Sequence, residues 1–247
     1  MASVNALRNA PVFSYSTHLA AVVTAAAFVA AATGPAIAAT TAVAGETYVY
    51  LVSNGYSKEP RGQISYRVER VDTDRTAVSV TPDSPALGQA YNVIYTHEGN
   101  WLRHPVTNHD QPVIYEFAQA YPAYAFPLDP GKSWSVRVNA TNPATGKTSS
   151  VRVDGTVLGT ERIRVPAGEF DTIRIRRLVY AGDFDGFLRE TNIADIEWYA
   201  PALGRAVRSE SNSEWKDLSR CGRAGCQPFR GDWNIYELVA VKPATIP

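Results

Sequence analysis

The sequence predicts an all-β protein, an antiparallel meander forming a curved sheet, half-barrel or barrel, with at most a short helix. Three observations predict it. Apolar and polar residues alternate with period two in segment after segment. Short breakers rich in Gly, Pro, Asp and Asn separate the segments. No long amphipathic helical pattern interrupts them, and many short, evenly spaced strands without helices indicate a sandwich, barrel or curved sheet.

Residues 1–38 stand apart and read as a cleaved signal peptide. Arg8 is the only charged side chain before the apolar run LAAVVTAAAFVAAAT (19–33), and Ala36 and Ala38 supply an A-x-A cleavage site. The run is shorter than the roughly 20 residues a spanning helix needs, so no transmembrane segment is expected after cleavage. The alternative is a retained N-terminal anchor. Residues 39–247 then form a single β-rich domain, exported to the periplasm or secreted. That length is sufficient to bury a sizeable core.

The strands follow in order. YVYLV (48–52), ISYRVERV (64–71) and TAVSVTP (76–82) come first, and PDSPALGQA (82–90) then reads as a crossover between two groups of strands. YNVIYTHEGNWLRHPV (91–106) contains two strands joined at EGN. VIYEFAQAYPAYAFPL (113–128) is less regular and is the place for a short helix, limited by Pro122 and Pro127. WSVRVNA (134–140), SVRVDGTVLG (150–159), RIRV (162–165), DTIRIRRLVY (171–180), TNIADIEWYA (191–200), RAVRSES (205–211) and WNIYELVAV (233–241) complete the set.

Lys and Arg together number 24, as do Asp and Glu. A near-neutral chain has no global electrostatic attraction to nucleic acid or anionic membrane, so no nucleic-acid partner is expected. Cys221 and Cys226, in CGRAGC, are expected to form a disulfide at the C-terminal end. Closing so short a loop stabilises by about 2 kcal/mol on the chain-entropy model.

Candidate chemistry is sparse. DPGKSW (129–134) lacks the earlier glycine of a phosphate loop, since position 126 is Phe126, and it leads into a strand. His97, His104 and His109, with Asp110, crowd together but match no metal signature. AGDFDGFLRE (181–190) carries Asp183, Asp185 and Glu190 around a glycine, too short a ladder for an EF-hand and better explained as a hairpin turn. No metal and no cofactor are expected. Asp195 and Glu197 share one face of a strand, and paired carboxylates can act as acid and base in a hydrolase. No nucleophile elbow or metalloprotease motif accompanies them, so catalysis is the weaker reading.

Aromatic residues are the more suggestive class. Trp101, Tyr124, Phe126, Trp134 and, further on, Trp198 could line a pocket for an apolar ligand, or simply fill a core.

RIRVPAGEFDTIRIRR (162–177) reads as a hairpin around Pro166 and Gly168. Ile163, Val165, Ile173 and Ile175 point inward, which leaves Arg162, Arg164, Arg174 and Arg176 outward. A meander would lay Asp195 and Glu197 beside Arg174 and Arg176 as an outer charge ladder. The rival is an anion-binding patch.

The order V-x-G-x-E-x-I-x-V-P-A-G-x-F-D-T-x-x-I (157–175), followed by W-Y-A-P-x-L-G-x-x-V (198–207), resembles runs in exported, β-rich bacterial proteins of unknown function. Phe-Pro-Leu…Gly-Lys-Ser-Trp (126–134) is similar to the opening strand of that pattern. The resemblance implies a periplasmic-type curved sheet or half-barrel like those of lipoprotein carriers, and it brings no catalytic residues with it. The chain departs from the lipoprotein pattern in having no cysteine for lipid attachment near the cleavage site. The expected function is non-enzymatic: binding an apolar small molecule or an envelope protein. The alternatives are a structural protein of the envelope and a hydrolase using Asp195 and Glu197.

Overall fold

Strand alternation of this kind leaves each segment with one apolar face to bury, and twelve such strands bury them together by closing into a barrel. The structure, a computed structural model, describes residues 42–108, 111–181, 189–217, 221–223 and 225–244; residues 1–38, expected to be a signal peptide, lie outside the described residues. The strands are β1 (Thr47–Asn54), β2 (Pro60–Val71), β3 (Thr76–Pro82), β4 (Tyr91–Tyr95), β5 (Trp101–Asn108) and β6 (Gln111–Tyr121), then β7 (Ser133–Thr141), β8 (Thr148–Val165), β9 (Gly168–Ala181), β10 (Arg189–Ala200), β11 (Arg205–Asp217) and β12 (Pro228–Lys242). Each pairs antiparallel with its sequence neighbours, and β1 closes on β12 from Thr47↔Lys242 to Asn54↔Asn234. The ladder is thinnest between β6 and β7, which pair only at Glu116↔Thr141 and Phe117↔Ala140.

Two expectations are corrected. Residues 82–90 are no crossover: β3 and β4 pair directly from Thr76↔Tyr95 to Val80↔Tyr91, and the connection holds a 3-10 turn, Pro85–Leu87, capped by the Ser84 hydroxyl. Nor does 113–128 hold a helix. Tyr115, Phe117 and Tyr121 bury on alternate positions of β6, and past Tyr121 the segment 122–132 turns inward, burying Ala123 and Leu128. The segment is anchored where Asn100 Oδ1 accepts the Tyr124 N–H (2.8 Å) and where Lys132 Nζ donates to the carbonyls of Phe126 and Pro127 (2.9 and 3.0 Å).

The stretches at 150–159 and 162–165 are one long strand, β8, interrupted by a bulge at Leu158 and Gly159. Gly159 has φ +142°, which a side chain would strain, so glycine permits the bend. The distal β8–β9 hairpin turns tightly at Pro166-Ala167, with Val165 opposite Gly168. Its tip skips β10 and β11 to reach β12, where the Ala167 N–H donates to the Leu238 carbonyl (3.0 Å). Ile163, Val165 and Phe170 thereby join a core of Tyr48, Val52, Val68, Val80, Val207 and Leu238.

The outward positions carry ion pairs along several strands, among them Arg152–Asp154, Arg208–Glu237 and Arg162–Glu169. Cys221 and Cys226 are bonded to each other.

Candidate functional site: a tyrosine-rich cavity inside the barrel

The inward positions of β9 read Ile173, Ile175, Arg177, Val179 and Ala181, all buried. Arg177 therefore occupies an interior position that its neighbours fill with aliphatic side chains. On β10 the inward series is Ile193, Asp195, Glu197 and Tyr199, so both carboxylates enter the barrel with it. This corrects the expected outer ladder. The outer arginines find other partners: Arg174 pairs with Glu161 (3.3 Å), and Arg162 and Arg164 with Glu169 (3.8 and 3.3 Å).

Inside, Arg177 grips Glu197 with both terminal nitrogens, Nη1 to Oε2 at 3.0 Å and Nη2 to Oε1. Arg177 Nη1 also donates to the carbonyl of Ala123 (3.2 Å), and the Tyr124 hydroxyl donates to Glu197 Oε2 (2.8 Å). The pair thus ties the inserted segment to the barrel wall. Such a fork is the strong form of a charge-assisted contact, and at these buried positions each partner requires the other. Burial opposes ionisation of Glu197, but the Arg177 charge, its hydrogen bonds and the Tyr124 hydroxyl outweigh it and hold the carboxyl below its ordinary value. Burial likewise opposes the Arg177 charge, and Glu197 overcomes it.

Asp195 differs. Its Oδ2 lies 3.8 Å from Arg177 Nη2, a looser contact, and its Oδ1 is buried without a hydrogen-bond partner. Burial raises its pKa, and Arg177 and Ser211 only temper the rise.

One wall is an aromatic stack. The Trp101 ring lies on His104 (centroids 3.8 Å apart, 11° between planes) and on Tyr121 (4.4 Å, 10°). His104 Nδ1 lies 2.7 Å from the Pro105 carbonyl, which assigns the ring proton to Nδ1 and leaves Nε2 an acceptor. Burial pushes the imidazole pKa down to about 4, so the ring is neutral at physiological pH. The other wall is built of tyrosines, Tyr50, Tyr66, Tyr91, Tyr95 and Tyr236, whose phenols burial keeps protonated and therefore able to donate.

Between the walls lies a cavity of about 260 Å³, bordered by Trp101, His104, Tyr124, Arg177, Arg205 and Tyr95 among others. That volume is the liquid share of roughly nine waters, or room for a small organic molecule.

Of the aromatic residues singled out from sequence, Trp101 and Tyr124 border this cavity. The others lie elsewhere. Phe126 packs with Leu128 and Tyr199. Trp134 covers Gly155, where a Cβ would come within 2.1 Å of its ring, and donates to the Pro122 carbonyl (2.9 Å). Trp198 lies on the outward phase of β10, 5.0 Å from the Arg208 guanidinium, and donates to Glu161 (3.1 Å). His97 is exposed against the Thr73 carbonyl (2.7 Å), far in character from buried His104, and His109 and Asp110 lie outside the described residues. Asp183 and Asp185 also lie outside them, and Glu190 falls on β10. Among the described residues no His, Cys, Asp and Glu group could hold a metal ion.

Sequence reasoning passed over Arg177 and Arg205. The signal for the first is the Arg176-Arg177 doublet, whose second member falls in phase with Ile173, Ile175 and Val179. Arg205 falls in phase with Val207.

No family model matches the chain, and no curated protein matches it significantly. Among solved structures it is similar to a candidate lipoprotein from Parabacteroides distasonis (14% identity, TM-score 0.48, covering 81% of this chain and 96% of that one). It is similar also to a candidate exported protein with a YmcC-like fold from Bacteroides fragilis (14%, 0.44, 82% and 98%) and to the hypothetical lipoprotein YmcC from Escherichia coli (12%, 0.43, 83% and 88%). These likenesses are too distant to carry a function across.

Proposed function

We propose that this is an exported, non-enzymatic binding protein whose barrel interior holds a small amphipathic molecule. In this reading residues 1–38 are the cleaved signal, and the barrel works in the periplasm or outside the cell. The observation that carries it is the cavity itself, around which tyrosine phenols and the His104 end of the Trp101 stack meet. Interiors are otherwise packed to high density, and small barrels commonly use such spaces for one ligand. The lining mixes aromatic faces with hydroxyls, which moves the expected ligand from purely apolar to amphipathic. Among the described residues no helix is long and apolar enough to cross a membrane. The ion pairs along the outer faces of the strands also differ from the apolar belt a lipid-embedded barrel presents.

Hydrolysis is the second reading. In its favour, Asp195 and Glu197 share the interior and their acidities are pushed in opposite directions. Against it, both Glu197 oxygens are occupied by Arg177, and one also by Tyr124, so neither is free to attack or to activate water.

Native mass spectrometry of the protein isolated from its own periplasmic fraction tests the proposal. A bound small molecule is expected, and it is expected to be absent from Val106→Phe, which puts a ring into the cavity from its Val106 lining position. Bare protein in both samples, or a ligand that persists in the filled variant, would overturn it.

A further inference from the structure

We infer that the molecule in the cavity is an anion whose carboxylate-like head is held by Arg205. The inference rests on the cavity being a binding site, and it adds the charge of the ligand. Two guanidinium groups border the space. Arg177 is answered by Glu197 through both terminal nitrogens. Arg205 is not answered. It enters at the start of β11, directly after the 201–204 turn, with its guanidinium 3.5 Å from the centroid of the Tyr48 ring. Its Nη1 is buried with no hydrogen-bond acceptor, and among the described residues no carboxylate forms an ion pair with it.

The guanidinium borders the cavity without a carboxylate partner, and a ligand that brings an acceptor to its open edge gains a charge-assisted bond. A carboxylate suits the arginine fork in geometry as well as charge. The Tyr48 ring stacks on the guanidinium but supplies no acceptor, and the Glu197 carboxylate is committed to Arg177. The Tyr50 hydroxyl is spent on the Ala206 carbonyl (2.7 Å), and Tyr95 borders the same cavity as a further phenol donor. Trp101 is sandwiched between His104 and Tyr121, so the aromatic surface this stack leaves for a planar body is the outer face of the His104 ring. The ligand class is therefore a small planar, aromatic-type carboxylate.

Calorimetric titration of the full chain with benzoate and with its uncharged counterpart benzamide tests this. Benzoate is expected to bind about tenfold more tightly or better, the usual weight of a charge-assisted bond. Arg205→Gln is expected to erase that preference while benzamide still binds, which shows the barrel intact. Equal binding of the two compounds to the native protein, or a preference that survives in Arg205→Gln, overturns the anion inference and leaves the cavity reading standing. Binding of neither compound overturns this inference alone, whereas binding that Val106→Phe does not disturb overturns the cavity reading and this inference with it.

Discussion

Arg177 reaches diagonally across the β9–β10 ladder to Glu197, although the residue directly opposite it is Asp195. The diagonal choice divides the labour between two acids on one face. Glu197 neutralises the buried guanidinium and, through Tyr124, holds the inserted segment, whereas Asp195 is left with an unpartnered oxygen.

The buried pair and the surface pairs should therefore respond differently to mutation. Arg177→Met or Glu197→Leu alone strands a charge inside the barrel and should cost about 3–5 kcal/mol, while the double variant should recover most of the loss. Arg174→Ala, three residues away and half-exposed beside Glu161, should cost less than about 1 kcal/mol. Urea unfolding of the four variants checks both, and additive single losses would contradict a coupled pair.

Asp195 should make the protein less stable as pH rises. Its folded pKa is raised, so the native state binds the proton more tightly than the unfolded chain does, and the benefit is lost on titrating upward through the folded value. Asp195→Asn should raise stability near pH 8 and bring little change near pH 4. Denaturation midpoints across that range read the difference directly.

His104 should do the reverse. Its pKa is depressed from 6.5 to about 4, so stability is complete above the unfolded value and falls as pH drops from 6.5 toward 4. Glu197, also depressed, adds to the acid loss below its ordinary value of 4.5. His104→Phe keeps the stack on Trp101 and should remove the upper part of the acid transition, between pH 6.5 and 4.5, as followed by circular dichroism.

Trp134 is structural in this account. Gly155→Ala places a methyl where the indole lies and should destabilise by about 1–3 kcal/mol, the usual cost of overpacking. Ligand affinity should be unchanged in whatever fraction stays folded, which separates Trp134 from the cavity residue Trp101.

Val106→Phe adds volume beside an existing space. Where most small-to-large changes in a packed core cost about 1–3 kcal/mol, this one should cost less than about 1 kcal/mol while abolishing binding. A large loss of thermal stability would mean the cavity is smaller in solution.

The fold was legible because alternation is a local property. In β9 the run Ile173, Ile175, Val179 and Ala181 marks the inner face without any knowledge of partners. Closure was not legible, because the β1–β12 pairing joins residues such as Thr47 and Lys242 that no local pattern links. The site failed to show for a related reason. Charged residues are ordinarily placed outside, so Asp195 and Glu197 were assigned to the outer face, when their phase with Ile193 and Tyr199 placed them within. Trp101 and Tyr124 stand out in the sequence only by their type, and it is the inward turn of segment 122–132 that brings Tyr124 to the cavity that Trp101 borders from β5.

The most direct measurement is a crystal structure of the protein isolated from its native envelope fraction, without added ligand. The account predicts density for a small planar molecule between Arg205, Tyr95 and the Trp101–His104 stack, its acidic head on the guanidinium. A cavity holding only ordered water, with the co-purified molecule bound on the outer face of the barrel, would contradict it.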